Sequence, residues 1–159
     1  MLFEQGVYVL EADTEGTAAF FRGYALGPGM GCGCAGCRNF EQAVSRMPEA
    51  VRAFLERFGI DPAKPSEMSV IHGSDPGELL YDGWYHACGR LLEGREPEEQ
   101  TGPKSFRIKD EYWLKLAEDG AMALIREKRD LLPKGFPEPA VQVDVMFRLP
   151  WVLEEECPY

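Results

Sequence analysis

Residues 140 to 153, AVQVDVMFRLPWVL, set Val141, Val143, Val145, Phe147 and Leu149 at every second position. Side chains alternate across a β-strand with period two, so these five share one face and Gln142, Asp144, Met146 and Arg148 share the other. One apolar face and one mixed face is the pattern of an antiparallel sheet, one side on a core and the other partly wet. Pro150 has no amide hydrogen for the ladder and ends the pairing. A chain with such a strand must supply it with neighbours and with an apolar layer to cover it.

Candidate neighbours recur along the sequence. VYVLEAD (7–13) is strand-like, and TAAFFRGYAL (17–26) carries aromatics expected of a second strand. SVIHG (69–73) reads as a short strand and LLYDGWYHACGRLLEG (79–94) as a long one. In the long one, period two groups Leu80, Asp82, Trp84, His86 and Cys88 against Tyr81, Tyr85, Ala87 and Leu91. Gly83 and Gly89 mark bulges or close backbone approach. REPEEQTGPK (95–104) reads as an exposed acidic loop, followed by strand material in SFRIK (105–109) and EYWLKLAE (111–118). The second of these also suits a helix start, and MALIREKR (122–129) is ambiguous too, its composition favouring helix by propensity. PKGFPEP (133–139) is irregular.

The covering layer is expected from helices in the first third. Asn39 with Gln42 three residues on resembles a capping box, and Pro48 suits the first turn of a second helix. Val51, Phe54, Leu55 and Phe58 then follow at i, i+3, i+4, i+7, and Gly59, Pro62 and Pro65 stop the helix. The expected fold class is α+β: two helices in the N-terminal half packed on a mainly antiparallel β-sheet, in one domain spanning 1–159. No internal repeat interrupts it.

Hydrophobic residues at 45% and charged residues at 28% indicate a folded chain rather than a disordered one. The formal charge of −10 opposes a nucleic-acid backbone or an anionic membrane surface and suits a basic protein partner. MLFEQGVYVLEAD lacks the basic and apolar regions of a secretory leader, and no apolar run nears the roughly 20 residues of a spanning helix. The expected compartment is the cytoplasm, where thiols stay reduced, so five cysteines are not a disulfide framework.

Three of those cysteines fall in GMGCGCAGCRNF (29–40). Cys34 and Cys37 form a C-x2-C, a spacing that lets two thiolates meet on one tetrahedral ion, and Cys32 can add a third. His86 or Cys88, on one face of the long strand, are the candidates for a fourth ligand to zinc. A C-x2-C at a helix start also suits redox chemistry, because the positive end of the helix dipole favours the thiolate. The plain alternative is a packed turn of small residues and glycines. No GxSxG, phosphate-binding glycine loop or HExxH is present.

Taken in order, CGC-x2-CRNF, FGIDPAK, YDGWYHACGRLLEG and FRLPWVL resemble a family of uncharacterised bacterial proteins. That family shares a CxCxxCxNF segment, a G(I/L)DPxK turn, a GWYHxxG strand and a C-terminal PWVL. The resemblance runs from about the first cysteine to the end and implies one bacterial, cytosolic domain, with no activity to transfer. The functional expectation is a non-enzymatic binding domain for a protein partner, an immunity-type protein being one concrete version. The alternative is a zinc-binding or thiol-redox protein built on CGCAGC.

Overall fold

The computed structural model describes residues 1–25, 31–75 and 77–159, with backbone alone at 74 and 75. It is α+β, with helices on a mainly antiparallel sheet. The strands are β1 (Leu2–Gln5), β2 (Tyr8–Ala12), β3 (Glu67–Asp75), β4 (Glu78–Glu93), β5 (Glu98–Gly102), β6 (Ser105–Ile108), β7 (Leu114–Lys115), β8 (Met122–Arg126) and β9 (Ala140–Pro150). The helices are α1 (Thr14–Arg22), α2 (Ala35–Ala43) and α3 (Glu49–Glu56). Among the described residues no helix is long and apolar enough to cross a membrane.

The main sheet has the order β1-β2-β4-β9-β8-β7, with β3 added to β4. One edge of β4 pairs with β9 from Glu78 to Cys88; the other takes β3 on its first half and β2 on its second. The sheet curls until its ends approach. Tyr8 donates its hydroxyl to Tyr112 O at 2.7 Å and accepts from Ile125 N–H at 3.3 Å, and Leu114 lies against Gly6.

Helices α2 and α3 cover one face. Tyr81 packs on Phe40 of α2, Tyr85 reaches Pro62 O at 2.8 Å, and Phe54 of α3 and Phe58 just beyond it pack on Phe3 of β1. Val51, Phe54, Leu55 and Phe58 are all buried, as their spacing predicts, and Gly59 ends the segment at φ +77°.

The other face of the sheet departs from the expected wet surface. Gln142 and His86 are wholly buried, and Asp144 nearly so. Residues 127–139 cover them: Trp84 Nε1 donates to Asp130 O at 2.8 Å, Asp130 N–H donates to Gln142 Oε1 at 3.1 Å, and Phe136 sits on His86. Asp144 is held in a fork by Arg126, at 2.6 and 3.1 Å, and by Gln142 Nε2 at 3.1 Å. Gln142 and Asp144 tolerate burial here because each has a partner.

Several expected elements are different. Residues 14–22 are helix, not strand, because Asp13 caps them: its Oδ1 accepts Gly16 N–H at 2.9 Å. The aromatics then meet at helical spacing, Phe20 on Tyr24. Residue 26 of that expected strand, and residues 27–30 of the glycine-rich segment, lie outside the described residues. The capping box at Asn39 is absent, since α2 starts four residues earlier at Ala35. The acidic loop at 95–104 contains β5, which pairs with β6 in a two-stranded ribbon. Residues 110–112 make a helical turn before the short β7. The ambiguous MALIR (122–126) is strand, with Ala123, Leu124 and Ile125 buried on both faces.

Candidate metal centre

The first turn of α2 is built by the cysteine motif itself. Cys34 is extended (φ −67°, ψ 163°), and its Sγ accepts the N–H of Cys37 at 3.5 Å, the position an N-cap side chain takes. Gly33 has φ +69°, a left-handed conformation that costs glycine little, and reverses the chain just before the helix. That reversal brings Cys32 back over the helix start. Its Sγ lies 3.2 Å from Cys34 Sγ and 3.1 Å from Cys37 Sγ, and all three lie within 4.8 Å of one another.

Three sulfurs so placed can hold a metal ion. Zn–S bonds of about 2.3 Å in a tetrahedron put sulfur atoms about 3.8 Å apart, somewhat wider than the 3.1 and 3.2 Å from Cys32 to its two neighbours, so the turn opens slightly around an ion. The three are free thiols, Cys32 and Cys34 exposed and Cys37 buried. Cys32 is biased toward thiolate, first by the N–H of Cys34 and then by hydrogen bonds with Cys37 and Cys34. Burial, followed by the hydrogen bonds of its two neighbours, pushes the Cys37 thiol far up. Ion binding must therefore displace a proton from Cys37, which ties affinity to pH.

The surroundings of the turn are crowded on one side. Gly36, inside the C-x2-C, leaves no room for a side chain: a Cβ there would lie 2.8 Å from Val70 Cγ2 and 3.0 Å from the Tyr159 hydroxyl. Its carbonyl accepts the Tyr81 hydroxyl at 2.7 Å. Arg38 Nε donates to Gly33 O at 3.1 Å, and its guanidinium pairs with Glu155. Asn39 is wholly buried and fastens the end of β9: Nδ2 donates to Pro150 O at 3.1 Å and to Tyr81 Oη at 3.2 Å, and Oδ1 accepts Val152 N–H at 2.8 Å. Residues 151–159 thus run beside the cysteine turn.

Cys32, Cys34 and Cys37 come together; His86 and Cys88 do not join them. Tyr81, whose hydroxyl reaches the turn, and His86 are five residues apart on β4. That separation is about 16 Å of strand and an odd step, so their side chains lie on opposite faces. The Nδ1 of His86 lies 2.7 Å from Ser66 Oγ. Cys88 lines a cleft with Asp13 and Arg90, and its N–H donates to Thr17 Oγ1 at 2.9 Å. The tail with Cys157, Glu155 and Tyr159 carries no motif in the sequence that marks it as a neighbour of this turn. The odd cysteine count was the one signal pointing there.

No protein-family model, curated protein or solved structure matches this chain.

Proposed function

We propose that the chain is a zinc-binding protein whose ion is held by the thiolates of Cys32, Cys34 and Cys37. The convergence of those three sulfurs on one side of a helix start supports it. Sulfur ligands select zinc over magnesium or calcium, and zinc accepts tetrahedral geometry without redox change. The test is elemental analysis of protein purified under reducing conditions without chelator. The expected result is about one zinc per chain, falling to background in a Cys34→Ser, Cys37→Ser double variant that keeps its circular dichroism. Wild-type protein that takes up no zinc even when the ion is added overturns the reading.

A second reading, recognition of a basic protein, is supported by the charge of −10 and by Phe106, 63% exposed on the β5–β6 ribbon. An apolar anchor on an acidic chain suits such a partner. A complex of this kind dissociates as salt approaches about 1 M, where the screening length is about 3 Å, and weakens in Phe106→Asp. Binding indifferent to both changes rules this mode out.

A further inference from the structure

On the strength of the proposed zinc centre, we infer that Cys157 is its fourth ligand, so that the ion fastens the C-terminal tail over the first turn of α2. Three cysteines leave a tetrahedral ion one ligand short, and closed sites take four protein ligands. His86 and Cys88 are committed elsewhere, as described. The tail is anchored on both sides of Cys157. Before it, Glu155 pairs with Arg38, the residue after Cys37. After it, the Tyr159 hydroxyl packs at Gly36, between Cys34 and Cys37, while the Tyr159 backbone rests against Gly73.

Cys157 is thus held between two contacts to the segment that carries the other thiols. Its Sγ stands outside the group of three, and its hydrogen-bond contact is a weak one, 3.9 Å to Tyr159 O. It is half-buried and packed at the edge of the core, so joining the ion takes a rotation of the side chain with a small shift of the tail. Each thiol that joins the ion releases its proton to solvent, and the product is a four-thiolate centre with no open position.

Cobalt(II) is the probe, because its thiolate charge-transfer absorption reports the number of sulfur ligands. Wild-type, Cys157→Ser, Cys88→Ala and Glu155→Gln proteins are titrated with cobalt and then back-titrated with zinc under reducing conditions. Cys157→Ser is expected to lose about a quarter of the charge-transfer intensity, one thiolate of four, and to bind zinc at least about tenfold more weakly. Cys88→Ala is expected to keep the wild-type spectrum. Glu155→Gln is expected to keep four-sulfur absorption while binding more weakly. Hydrogen exchange at 152–157 is expected to slow on zinc addition in wild type and not in Cys157→Ser.

A Cys157→Ser spectrum identical to wild type overturns the inference and leaves a three-thiolate centre standing. A wild-type protein that binds neither metal overturns both readings.

Discussion

At the scale of single residues, His86 shows what burial does to an ionisable group. It is wholly buried, Nδ1 faces Ser66, and Nε2 has no hydrogen-bond partner among the described residues. Burial lowers its pKa to about 4, with Asp130 pulling weakly the other way. An unfolded histidine takes its proton near pH 6.5, so between about 6.5 and 4 the unfolded chain binds more protons than the folded one. The stabilisation is whole above about pH 6.5 and is lost as pH falls toward 4, about 3 kcal/mol in all. Denaturant unfolding at several pH values checks this: His86→Gln is expected to flatten that part of the wild-type profile. An unchanged slope would contradict it. The spacing of β4 made His86 visible as a candidate ligand, but which face it took was decided by where α2 lands. Only the fold supplies that.

Among the elements, the junction of β3 with β4 depends on Gly83. A Cβ there would stand 2.2 Å from Glu67 O and 2.8 Å from Met68 Cα, backbone atoms that cannot step aside without parting the strands. Gly83→Ala is expected to cost about 2–3 kcal/mol and to speed hydrogen exchange at residues 67–70 more than in β8. Equal protection in both strands would refute the close approach. The sequence marked this glycine correctly because period two placed it inside a strand. It marked α3 and β9 for the same reason: long, unbroken periodicity. It failed where propensity and context disagree. The helix-favouring composition of MALIREKR leaves Met122–Arg126 ambiguous, and the strand wins because a slot beside β9 outweighs a few tenths of a kcal/mol of helix preference per residue. At Thr14–Arg22 the aromatics drew attention away from the one cue that decides, the aspartate at position 13.

For the molecule as a whole, the alternating run at 140–153 told most of the architecture, and the cysteine spacing told most of the candidate site. The burial of Gln142 and Asp144 was not legible, since it depends on residues 127–139 folding back over a face that looks wet on its own. The place of the tail was equally hidden: Asn39 reads as a helix cap until Pro150 and Val152 are brought to it. The sheet order also bears on how the chain is made. β9 follows β1 to β8 in sequence yet sits between β4 and β8, near the middle of the sheet. A ribosome delivers residues in order, so β1 to β8 emerge while the strand that joins their two halves is still unmade. Until residue 150 is free, β4 offers one open edge and the Tyr81–Tyr85 face lacks its valine neighbours. Closure of the sheet therefore waits for β9 to leave the ribosome, and a chain released before that displays an unpaired edge that other nascent chains can occupy.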